Sequence, residues 1–274
     1  MGASFNSRIL AVSGMKAKTA FLATVLALGT MLERAQAQDR KLDATVDVTY
    51  VSRYIWRGFD VYSNNHSAIQ PSVDLAMPGT GCGLNVWWSR ANTSGFENNE
   101  EIDYTLYYNK SLFEGKTYAT DYTIGWTYYY YPDEPREAGD MQEISLNLSW
   151  QNIHPGGLVP SYTIVCTWPS KHNSEVRDYG GWFHIFQVCY DLTMPSSCLH
   201  AKEQVIHLSA ETIYNDGAYG ADRDWSHAVF GISTSFNLRK NLTFTPGFYF
   251  QSSWDDSVNT QDEYWTSLSI TYEF

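Results

Sequence analysis

Basic residues are scarce: 18 Lys and Arg stand against 30 Asp and Glu in 274 residues, for a formal net charge of −12. Nucleic-acid binding calls for clustered Lys and Arg, which this chain lacks. Charge of either sign is thin as well, at 18%, where ordinary soluble domains carry roughly 25%. After the N-terminal segment no apolar run approaches the roughly 20 residues of a membrane helix. No segment sustains a 3.6-residue period. The four cysteines show no CxxC spacing, and the seven histidines show no metal-site spacing, so neither a metal nor another cofactor is expected. What abounds is aromatic: 20 Tyr and 10 Trp, within a 16% aromatic fraction. These rings suit boundaries that are wet on one side and apolar on the other, and they argue against disorder.

Residues 1–37 read as an address. Lys16 and Lys18 precede the apolar run Ala20 to Leu28, and Ala35-Gln36-Ala37 is a small-x-small cleavage site, the order of a secretory signal peptide. Met15-Lys16-Ala17-Lys18 opens a signal of ordinary length, which makes Met15 a candidate start. Cleavage after Ala37 removes Arg8, Lys16, Lys18 and Arg34 against Glu33 alone, leaving residues 38–274 more acidic still.

From Leu42 onward apolar and polar residues alternate with period two, the pattern of half-buried strands. Ile102, Tyr104, Leu106 and Tyr108 alternate with Glu101, Asp103, Thr105 and Tyr107; Ile144, Leu146, Leu148 and Trp150 with Glu143, Ser145, Asn147 and Ser149. About twelve such segments are expected, near 42–56, 67–77, 83–89, 100–110, 118–131, 142–152, 159–168, 180–193, 203–214, 227–237, 242–251 and 262–274. Most approach the 9–11 residues that a tilted strand needs to cross a bilayer. The apolar phase carries almost no charge, while the other phase is small and polar with scattered acids. A soluble sandwich should show a solvated face bearing both charge signs. A membrane barrel with a polar lumen fits better. Tyr50, Tyr54, Trp56, Trp88, Trp150, Trp168, Trp182 and Tyr264 fall near segment ends, where interface girdles sit.

Connections alternate in length, with compact turns near 78–82, 111–117, 153–158 and 238–241, and longer polar loops between them. Short periplasmic turns and long outer loops are the asymmetry of bacterial outer-membrane barrels. The chain closes on Leu268, Ile270, Tyr272 and Phe274, all on one face. This C-terminus resembles the recognition strand read by the barrel-insertion machinery, so those four residues are the candidate assembly signal. The expected fold is thus an all-β, transmembrane, antiparallel up-and-down barrel in the cell outer membrane of a Gram-negative-type bacterium.

Tyr50 to Phe59 contains Ser52, Tyr54, Arg57 and Gly58 in the pattern Ser-x-Tyr-x-x-Arg-Gly. It resembles the opening motif of the TorF-type porin family, bacterial outer-membrane proteins long classed as of unknown function. The resemblance implies an outer-membrane barrel with a pore role, and no catalytic residues.

On the inward phase Asp47, Asp74, Asp103, Asp121, Glu143 and Glu211 are candidate lumen-lining acids, joined by Asp43, Glu101 and Asp191. Only Arg53 and Arg57, at the end of strand one, oppose them, either as a pore constriction or as a buried ion-pair network. His207, Ser209 and Glu211 share a strand face, but a two-residue step separates side chains by about 6–7 Å, and a polar lumen row explains them without catalysis. An exported protein permits disulfides. Cys189–Cys198 and Cys82–Cys198 are the pairs the topology allows, with free thiols as the alternative. The function expected is a passive, weakly cation-selective channel for small hydrophilic solutes, in contact with outer-membrane lipid. A closed structural or docking barrel is the alternative, and an outer-membrane hydrolase comes third.

Overall fold

The computed structural model describes residues 42–64, 66–171, 175–195 and 203–274, and there the alternating segments are strands. In chain order these are β1 (Asp43–Val51), β2 (Ile55–Trp56), β3 (Phe59–Asp60), β4 (Ala68–Ala76), β5 (Cys82–Ala91), β6 (Glu101–Leu112), β7 (Thr120–Tyr130) and β8 (Met141–Ser149). There follow β9 (Val159–Pro169), β10 (Gly181–Pro195), β11 (Glu203–Asp216), β12 (Arg223–Thr234), β13 (Phe236–Arg239), β14 (Leu242–Ser253) and β15 (Glu263–Glu273). The signal-peptide segment 1–37, the candidate start Met15 and Cys198 lie outside the described residues.

Each long strand pairs antiparallel with its neighbours, and β1 pairs with β15, Tyr50 opposite Leu268, so the sheet closes. β12 and β13 form one stave broken at Ser235, since both pair with β14. The described residues therefore form a closed antiparallel barrel of twelve staves. Closure leaves no unpaired edge, the condition for a sheet in lipid. A one-residue slip would exchange the two faces of a strand, so the alternation itself pins the register.

The wall is inside out. Leu106 is 53% exposed, Phe230 51% and Ile144 49%, whereas Glu263 is 5% exposed and Asn215 and Gln251 are fully buried. Water would penalise such a surface, but lipid does not. Long loops gather at one end, among them those that follow Val51, Ala91 and Tyr130. Compact turns hold the other, among them 77–81 and the Lys240-Asn241 turn between β13 and β14.

The packed interior lies inside the long-loop end of the barrel. One cluster joins Val51, Tyr54, Tyr62, Ala68 and Ala91; a second joins Val165, Phe183, Ile213 and Ala218, and Trp56 packs against both. This corrects the expected first strand. Strand one ends at Val51, not near residue 56, and Tyr54 and Trp56 lie within the lumen, not in an outer girdle.

Candidate functional site

The first long loop turns into the barrel. Ser52 still bonds to the wall: its N–H donates to the Thr266 carbonyl, and its Oγ accepts from the Thr266 N–H, both at 2.9 Å. Beyond it β2 and β3 form a hairpin in which Trp56 faces Phe59. Arg57 and Gly58 make its two-residue turn, both at positive φ (46° and 96°), the signature of the turn that matches strand twist. Gly58 is required twice over. A Cβ there would lie 2.6 Å from Nδ1 of His227, at a φ that L residues rarely adopt.

Bonds from the hairpin reach several sides of the lumen. The Arg57 guanidinium donates to both oxygens of Glu143 on β8, at 2.8 and 3.0 Å, the strong bidentate form. The same group lies 4.6 Å from the Trp56 ring and 4.8 Å from the Phe183 ring of β10, within cation–π range. Arg53 pairs with Glu263 on β15. The Tyr54 hydroxyl donates to Glu101 on β6 at 3.1 Å, and the Tyr131 hydroxyl donates to the other oxygen at 2.9 Å. The Gly58 carbonyl accepts from Gln251 on β14 at 3.0 Å and from Asn259 at 3.2 Å. The motif residues Ser52, Tyr54, Arg57 and Gly58 are thus the wall anchor, acid clamp, ion pair and turn of one inserted hairpin.

A second loop braces the first. Tyr219, between β11 and β12, is held in the left-handed region at φ 57°. Its ring meets Trp56 edge-on, with centroids 5.0 Å apart. Strained non-glycine backbone of this kind persists only where its surroundings enforce it. Burial raises the Tyr219 phenol well above its ordinary range, with Arg57 opposing, so it stays neutral at physiological pH.

Around this constriction the structure gathers Arg53, Arg57, Asp103, Glu143 and Glu211 of the expected lumen residues. One Asp103 oxygen is buried without a hydrogen bond. Glu211 accepts from Gln187 at 3.4 Å and lines the same space as Arg57. Glu101 joins them through Tyr54, while Asp47, Asp74 and Asp121 lie toward the compact-turn end: Asp47 accepts from Thr271 at 2.7 Å, Asp74 from Tyr107 at 2.8 Å and Asp121 from Ser111 at 2.5 Å. Arg53 and Arg57 themselves do not extend strand one, as the sequence implied; they ride on the hairpin.

Sequence reasoning missed Glu263, Phe183, Tyr219 and Gln251. Glu263 was within reach, since it shares the inward phase of β15 with Ser267 and Thr271. Tyr219 comes from a loop and carries no periodic signal. His207 bonds to Asp191 at 2.7 Å, and Ser209 stands opposite Cys189. Cys82, Cys166 and Cys189 are free thiols; Cys198, the shared half of both candidate pairs, lies outside the described residues.

The hairpin divides the lumen. Trp56 and Phe59 line a cavity of about 550 Å3 toward the long loops, while Ile55, Arg57 and Gly58 line one of about 200 Å3 toward the compact turns.

Solved structures share this architecture. The NanC porin aligns at a TM-score of 0.50 with 10% identity, covering 84% of this chain and 100% of its own. The KdgM porin, solved with disordered oligogalacturonate, aligns at 0.50 with 10% identity, covering 84% of this chain and 99% of its own. At that identity the likeness is one of fold. No curated protein matches the sequence significantly. The model of a bacterial protein family of unknown function, Gcw_chp, matches residues 35–194, more than half of the sequence, and the chain belongs to that family.

Proposed function

We propose that this barrel is an outer-membrane channel for small hydrophilic solutes, that the first-loop hairpin is its constriction, and that it favours cations. The long loops then face outward and the compact turns the periplasm. The resemblance of Ser52 to Gly58 to the TorF-type porins points the same way. The carrying observation is the charge balance at the hairpin. Glu101, Asp103, Glu143, Glu211 and Glu263 stand there against Arg53 and Arg57. Carboxylates in a low-dielectric wall focus a field that favours cations. Such a lumen is poorly matched to a polyanion such as the oligogalacturonate of KdgM.

A salt gradient across a planar bilayer tests this. The reversal potential should show cation preference at low salt, fading as the Debye length shrinks from about 10 Å at 0.1 M toward 3 Å at 1 M. Asp103→Asn, beside the hairpin, should reduce the preference more than Asp121→Asn near the turns. Anion preference at low salt would mean that the arginines govern the pore.

The extent of bonding around the hairpin favours a second reading, a closed structural barrel. It predicts silence from the intact barrel in the same bilayer.

Assembly gives a separate expectation. Leu268, Ile270, Tyr272 and Phe274 are 43%, 49%, 42% and 48% exposed, one apolar row on the outer face of the closing strand. If the insertion machinery reads that row, deleting Phe274 should lower outer-membrane yield several-fold while precursor accumulates in the periplasm. Normal insertion of the shortened chain would remove that role.

A further inference from the structure

We propose that the cavity above the hairpin binds a small organic ammonium cation. Its wall is aromatic: Tyr54, Trp56, Phe59, Tyr131, Tyr179 and Tyr219 line about 550 Å3, a size suited to small ligands. Its charges are all of one sign. Glu101 lies at the base, Glu134 and Glu175 higher up, and no Lys, Arg or His is among the described lining residues.

Glu101 is the stronger indication. It is 4% exposed and accepts from two phenols, Tyr54 and Tyr131, yet among the described residues no cation pairs with it. Buried carboxylates ordinarily hold a cationic partner. The base beside it, Arg57, is committed to Glu143 through two nitrogens. The protein already uses Trp56 to hold a cation, since Arg57 lies over that ring. An anion is excluded by the acids. A neutral sugar could use the same rings and carboxylates, but it would leave the buried Glu101 carboxylate without a counter-charge. A compact alkylammonium needs what is present, aromatic faces and a buried carboxylate at their base.

The site rests on the channel reading only for access from outside, and binding is measured without transport. The full chain, refolded in detergent, is titrated with tetramethylammonium chloride by calorimetry and by Trp fluorescence, with sodium chloride and glucose as controls. Saturable binding that sodium at equal ionic strength does not reproduce is expected. Glu101→Gln should weaken it about tenfold or more, and Tyr219→Leu about threefold or more, the scale of a desolvated charge and one ring face. A mobility shift between boiled and unboiled samples confirms that each variant is folded. If Glu101→Gln fails that check, Glu134→Gln takes its place, with about threefold loss expected for a more exposed carboxylate. Absence of saturation, glucose binding in place of ammonium, or unchanged affinity in the folded variants would overturn the site. A barrel that binds without conducting contradicts only the channel; one that conducts without binding contradicts only the site.

Discussion

Gly58→Val should make proteoliposomes swell several-fold faster in small sugars than the wild-type barrel does. The reason is steric and local. A side chain at φ 96° costs about 1–2 kcal/mol from backbone geometry alone. Its Cβ would also sit 2.6 Å from His227 Nδ1 and 2.7 Å from Val258 Cγ1. Neither the turn nor its seat can absorb both, so the hairpin leaves the far wall and gives up the Gln251 and Asn259 bonds. The strand ladders do not involve Gly58, so the barrel should still insert. Unchanged swelling from a properly inserted variant would show that the hairpin does not limit passage.

Arg57→Ala should lower the stability of the barrel by several kcal/mol, about 3–5. Arg57 and Glu143 have side chains only 15% and 6% exposed, and removing one member of a buried pair leaves the other charge uncompensated. Losses of about 3–5 kcal/mol are typical of that situation. The variant also loses the cation held over Trp56 and Phe183, and leaves Glu101, Asp103 and Glu143 facing one another. The measurement is the temperature at which the compact gel band converts to the slow one. It should fall clearly for Arg57→Ala and recover in large part for Arg57→Met combined with Glu143→Leu, which removes both charges. Equal melting of Arg57→Ala and wild type would show that the pair carries little.

The wall was legible in the sequence because lipid and lumen impose opposite demands on successive residues. That constraint acts at every position, and strands such as β6 and β15 lie within two residues of where alternation places them. The hairpin was not legible for the same reason. Tyr50, Ser52, Tyr54 and Trp56 continue the beat of β1, and an aromatic buried in a lumen reads like one at a lipid interface. The available signal was Arg57-Gly58, a turn dipeptide between residues that continue the pattern. Charge was a second: two arginines on a face rich in carboxylates had to find acids across the barrel. Which acids they find depends on how far the loop reaches, and no period reports that. Tyr219 was beyond reach altogether, since a loop residue in the left-handed region leaves no trace in composition or spacing.

Single-channel recording on the refolded chain, with and without residues 53–60 replaced by a short Gly-Ser link, isolates the hairpin. Small cation-preferring steps from the wild type, and clearly larger steps with weaker selectivity from the shortened loop, are expected. Silence from both, or steps of equal size, would contradict a channel narrowed by its first loop.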